Sequence, residues 1–178
     1  LLPTDWPYTV NAVSGYSGGG KALIERFASE SDIGVRNYGL NLEHKHMPEM
    51  KRHAGLKYDV VFAPSVIRAY RGMLVEVPLN LAAMGGRVTA EQLLEALQSY
   101  YAASPIVHVH DGSGISELLL SENDAPTDRL DLYVFADSSG ERVRLMARLD
   151  NLGKGASGST VQDLNIMAGL DETVGLRL

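Results

Sequence analysis

Apolar and polar residues change period several times along this chain, and each change marks an element. Tyr8–Val13 has strand character, although the polar Thr9 and Asn11 make its alternation imperfect. Lys21–Glu30 is rich in helix formers, and Val35–Leu40 reads as a short strand. In the next segment Pro48 suits a first helical turn, where its missing N–H is harmless, and Gly55 suits the helix end. "YDVVFAPSV" is apolar and β-branched, the composition of a buried strand. "GMLVEVPLNL" alternates cleanly, with Met73, Val75, Val77 and Leu79 on one face and Glu76 and Asn80 on the other. Pro78 cannot donate to a ladder, so an edge or a bulge is expected there.

The second half is patterned as clearly. Thr89 and Gln92 form a capping box, followed by a stripe of Leu93, Leu94, Leu97, Tyr100 and Tyr101. "PIVHVH" is a strand candidate, and "DGSGISELLLSENDAPTD" reads as a long connection. "RLDLYVFADSSGERVRLMARLD" predicts a hairpin turning at Gly140, with Val143, Leu145, Ala147 and Leu149 on one side and Arg142, Arg144 and Arg148 on the other. A glycine-rich loop, "NLGKGASGST", then leads into a helix, "VQDLNIMAGL", ended by Gly169. Runs of strands with interspersed helices predict an α+β domain with a mixed, largely antiparallel sheet and helices packed on one face.

Composition narrows the functional classes. The 178 residues suffice for one domain with a real core. A net charge of −6 argues against nucleic acid, whose phosphates demand clustered Lys and Arg. No apolar run approaches the roughly 20 residues of a membrane helix. Cysteine is absent, so the chain holds no disulfide, no thiolate metal site and no cysteine nucleophile of its own. It opens on Leu1, and "LLPTDWP" reads as the end of a helix running into a turn; the expectation is a single domain, 1–178, of a longer polypeptide.

Four segments carry candidate chemistry. "SGYSGGGKAL" stands between a strand and a helix, where bare backbone N–H groups can cradle a phosphate. Gly15, Gly20 and Lys21 meet most of the P-loop spacing, but Ala22 stands where that motif needs a hydroxyl for magnesium. Asp137, its only candidate magnesium carboxylate, falls in the predicted hairpin. "HKHMPE" places His44 and His46 two apart, which on an extended segment turns both rings to one side, with Glu49 a turn away. Acid–base work near neutral pH, a zinc site of His44, His46 and Glu49, and plain surface histidines all fit that spacing. Arg71, before a strand and beside Gly72, could fork onto a carboxylate or phosphate, or simply be solvated. "DNLGKGASGST" repeats the glycines-before-helix arrangement.

In combination and in order, "AVSGYSGGGK", "HKHMPEM", "FAPSVIRAYRGM" and "DNLGKGASGSTVQDLN" resemble the C-terminal portion of N-acetyl-gamma-glutamyl-phosphate reductases, the shorter form more closely. The resemblance covers nearly the whole chain and implies a fold like the C-terminal domain of glyceraldehyde-3-phosphate dehydrogenase. It implies a cytoplasmic homodimer that reduces an acyl phosphate to an aldehyde with NADPH, through a thioester on cysteine, in arginine biosynthesis. By the resemblance His46 is the acid–base partner, with Glu49 behind it and His44 close by. Arg71 and Ser14 contact the substrate. Ser17, Gly18, Gly19 and Gly20 face NADP, as do Gly155, Ala156 and Gly158. No metal is implied. The family's "PGCYPT" nucleophile segment and GxGxxG nucleotide domain are not in this sequence, and Arg68 stands where many members have Pro. The helix at 159–169 would then pack on that nucleotide domain. A non-enzymatic binding or oligomerisation module is the alternative class, and a P-loop nucleotide hydrolase the third.

Overall fold

The structure, a computed structural model, describes residues 1–178. Seven strands form one sheet: β1 (Thr9–Gly15), β2 (Val35–Asn37), β3 (Val61–Ile67), β4 (Met73–Asn80), β5 (Val107–His110), β6 (Leu130–Ala136) and β7 (Arg142–Leu149). Their order is β2-β3-β1-β4-β7-β6-β5. The β1–β3 and β5–β6 pairs are parallel and the other pairs antiparallel, so the sheet is mixed and largely antiparallel as the pattern predicts. The helices are α1 (Gly20–Ser29), α2 (Met47–His53), α3 (Ala90–Tyr101) and α4 (Gly158–Met167).

Alternation decides what each face does. Phe62, Val10, Leu79, Val143 and Val134 point to one side, where Met47 and Met50 of α2 and Ala90, Leu93, Leu94 and Leu97 of α3 close the core. Only these two helices cover that face. α1 and α4 instead lie beside the turns leading into them, which departs from a simple layer of helices. Phe27 anchors α1, fully buried and stacked on Tyr16 at 5.0 Å. Arg68 secures the end of α1, donating to the Phe27 and Glu30 carbonyls at its terminus and to the Ile33 carbonyl just beyond it.

β4 lies inside the sheet, not at its edge. Its ladder with β1 ends at Glu76, two residues before Pro78, so the missing donor falls where β4 has no partner on that side. The Thr89–Gln92 capping box is present in both directions. Tyr100, assigned to the apolar stripe of α3, is 81% exposed. The start of the chain forms a turn at Thr4–Asp5 without a preceding helix, and Leu2 and Trp6 pack against the core. No helix is long and apolar enough to cross a membrane.

Candidate functional site

The two glycine-rich loops meet at one end of the sheet. β1 runs into a short 3-10 turn, Tyr16–Gly19, held to the β3–β4 turn: Tyr16 N–H donates to the Ala69 carbonyl at 2.9 Å and Ser17 N–H to the Tyr70 carbonyl at 3.2 Å. Strand β7 ends beside it at Leu149, and Asp150 and Asn151 point their side chains inward. Asn151 Nδ2 donates to Ser17 Oγ at 3.0 Å, while its Oδ1 accepts from Gly72 N–H at 2.8 Å. One amide therefore ties the first glycine loop, the β3–β4 turn and the second glycine loop together. A Cβ on Gly18 would stand 3.1 Å from Asn151 Nδ2 and 3.3 Å from Ser14 Oγ, so glycine keeps this junction close.

Not all the predicted glycines do the same work. Gly18, Gly19, Gly20, Gly155 and Ala156 are exposed and present their backbone to solvent. Gly158 is buried, and a Cβ there would collide with the Asp128 carboxylate at 2.3 Å. Gly153, likewise, is pressed onto the Thr127 carbonyl. The second loop is thus a π-helical turn, Gly153–Ser157, whose buried glycines allow close packing and whose exposed ones form a wall.

Arg71 enters this junction already paired. Its Nη1 donates to Asp150 Oδ2 at 2.8 Å, and the Asp150 side chain is 2% exposed. Burial pushes the Asp150 carboxyl up; the Leu152 N–H and the Arg71 guanidinium outweigh it and hold the carboxyl below its usual range. Ser14 is buried on the core side of β1 and donates to the adjacent Gly15 carbonyl.

The imidazoles stand on the same side of the sheet but further along it. The His44 ring meets the Phe62 ring at 4.9 Å, the His46 ring at 4.9 Å and the Tyr38 ring at 5.6 Å. Phe62 is registered with Val10, and Ser14 lies four residues on, about 13 Å at the usual strand rise. The rings neighbour each other because the chain turns into α2 at His46, which has helical φ and ψ; the extended segment expected from the spacing is absent. His46 N–H donates to His44 Nδ1 at 3.3 Å, so neutral His44 carries its proton on Nε2. Burial lowers the His44 pKa, and the neighbouring His46 and Lys45 charges lower it further. His46 and Glu49 are exposed, and no hydrogen bond joins Glu49 to either ring. The zinc arrangement fails, since His44, His46 and Glu49 do not form a group that could hold a metal.

The P-loop reading fails too. Lys21 points into solvent, 89% exposed, beside Glu25. Asp137 sits at the opposite end of the sheet in the β6–β7 turn, where Arg142 N–H and Ser139 hold its carboxyl down at about 2. Asn151, Asp150 and Tyr38 were not singled out from the sequence. The first two had a signal: polar residues directly after an alternating strand and directly before a glycine loop.

A family model for the semialdehyde dehydrogenase dimerisation domain matches residues 1–151. The chain belongs to that family. It is 40% identical over 193 aligned residues to an N-acetyl-gamma-glutamyl-phosphate reductase of Trichormus variabilis, covering 99% of this chain and 59% of that protein. A reductase of the same name from Rhizobium meliloti is 44% identical over 175 residues, covering 94% and 56%. The chain therefore spans less than two thirds of the curated relatives it matches. Among solved structures, aspartate semialdehyde dehydrogenase II from Vibrio cholerae shares the fold, with a TM-score of 0.62 at 17% identity, over 90% of this chain and 55% of that one.

Proposed function

We propose that this chain is the proton-handling and cofactor-facing part of an NADPH-dependent reductase. The reductase converts N-acetylglutamyl 5-phosphate to N-acetylglutamate 5-semialdehyde and phosphate, with a reactive cysteine supplied from outside the chain. The observation that carries the reading is the Asn151 bridge. It makes one wall of two glycine loops, on the sheet side that also bears the imidazole pair. The names of the relatives support the substrate.

The open glycine backbone fits a dinucleotide: no side chain fills the space beside Gly20, and Gly18 and Gly155 keep the wall low. Ser17, Gly18, Gly19, Gly20, Gly155 and Ala156 would hold the cofactor, which when bound as NADPH would supply the hydride that brings a thioester to the aldehyde level. His46 takes the thiol proton as sulfur attacks the acyl carbon, and gives it to the phosphate oxygen as the carbon–oxygen bond breaks. Its exposure lets the ring return a solvent proton to sulfur once the aldehyde leaves. His44, neutral and holding the His46 N–H, fixes where that ring starts. Arg71, paired with Asp150 at the junction, and Ser14, buried at the end of β1, are the substrate contacts of this reading.

Two surfaces complete the reading. Leu164, Ile166 and Met167 of α4 are exposed and would pack on the nucleotide domain of the longer polypeptide. The sheet face without a helix, with Val13, Leu74 and Met146, would join a second copy; charging it with Met146→Asp should give monomers in sedimentation, and an unchanged assembly would remove this role. The reading as a whole is tested by assaying phosphate-dependent oxidation of the semialdehyde with NADP. The full-length polypeptide should turn over and the isolated chain should not, since general acid–base help alone is worth about 10²–10⁴-fold. Turnover by the isolated chain, or none by the full-length protein, would refute it.

A further inference from the structure

Most arginines of this protein are already committed. Arg71, Arg129, Arg142, Arg144, Arg148 and Arg177 each hold a carboxylate. Arg36 has none. It lies on edge strand β2, registered with Val66 of β3, and so faces the core side of the sheet, the side of the imidazoles. It is half-buried, with its Cζ 4.8 Å from the centroid of the Tyr38 ring. That ring in turn meets His44 at 5.6 Å. The guanidinium is thus two ring contacts from the imidazole pair, held over Tyr38 with no carboxylate or carbonyl claiming its N–H groups.

We propose that Arg36 is a substrate-binding residue that forks onto a carboxylate carried by the acyl phosphate, at the end remote from the reacting carbonyl. The inference rests on the reductase reading of the same site and adds to it the residue that selects an anionic substrate. A guanidinium presents two parallel N–H donors in its own plane, which matches a carboxylate. The cation–π contact with Tyr38 restrains the side chain in advance, so less of its freedom is left to lose on binding. Arg71 is less suited to the task, because Asp150 already neutralises it. The substrate proposed above has its α-carboxylate three carbons from the reacting centre. With the carbonyl beside His46, that carboxylate can extend past His44 toward Tyr38 and Arg36.

The test uses the full-length polypeptide and the semialdehyde, in the phosphate-dependent direction. Arg36→Gln should raise KM for the semialdehyde about ten- to hundred-fold, the worth of one charge-assisted fork, with a much smaller change in kcat and none in KM for NADP. Arg36→Lys, which keeps charge but not the fork, should fall between. Against an analogue whose carboxylate is an amide, wild type and Arg36→Gln should behave alike. An unchanged KM in Arg36→Gln, or an equal loss against carboxylate and amide, overturns the proposal. If Arg36→Gln does not fold, the Arg36→Lys comparison decides, and an unchanged KM there overturns it equally. A wild-type protein inactive with the semialdehyde brings down the reductase reading itself, whereas an active wild type with an indifferent Arg36→Gln removes only this assignment.

Discussion

Asn151 shows how much one buried amide can do. Truncating it to Ala leaves the Gly72 N–H and the Ser17 hydroxyl without partners, each costing about 1–3 kcal/mol when it stays buried. Urea unfolding of Asn151→Ala should show that loss, and a midpoint like that of wild type would mean the bridge is slack. His44 makes a second prediction. Its pKa lies below the ordinary 6.5, so beneath that pH the unfolded chain binds the proton more readily than the folded one. Stability should therefore fall as pH drops through 6.5, and the His44 ring signals in NMR should titrate below it; a midpoint at or above 6.5 contradicts the packing of His44 on Phe62. At this scale the sequence was half-informative. The spacing of His44 and His46 announced two neighbouring rings, but their partners Tyr38, just after β2, and Phe62, on β3, are linked to them by no local pattern. Arg71 looked free because Asp150 lies far away in sequence.

Elements with a strong period were legible, and elements shaped by contact were not. The alternation of Met73–Leu79 and the Thr89 capping box are local, and both stand where they were expected. Pro78 suggested an edge or a bulge, but β4 is interior: pairing to β7 continues through Pro78 after pairing to β1 has stopped at Glu76. The helix expected from Val161 begins at Gly158 and grows out of a π-helical turn. Glycines argue against helix on propensity, and here they are required by what lies against them. Gly158→Ala improves propensity yet drives a Cβ to 2.3 Å from Asp128 Oδ1, so it should destabilise by about 1–3 kcal/mol in denaturant titration. A stabilised Gly158→Ala would show that Asp128 can move aside. It is not free to do so, since the Arg177 N–H and guanidinium also hold that carboxylate.

At the scale of the molecule, the mixed sheet and the hairpin were legible, and the functional division of the sheet was not. Both faces alternate, so the sequence could not say that α2 and α3 cover one and leave the other to the long connection after β5, nor that α1 and α4 gather at the sheet's end. That end is where backbone polarity, two glycine loops and buried Asp150 and Asn151 converge, and the imidazole pair shares its side of the sheet. The account holds that these groups work on one acyl phosphate. Its most direct test is the single-turnover rate of full-length protein carrying His46→Ala. A fall of about 10²–10⁴-fold in the chemical step is expected, with NADP affinity unchanged, as for the loss of a general acid–base. A wild-type rate in that variant would contradict the account.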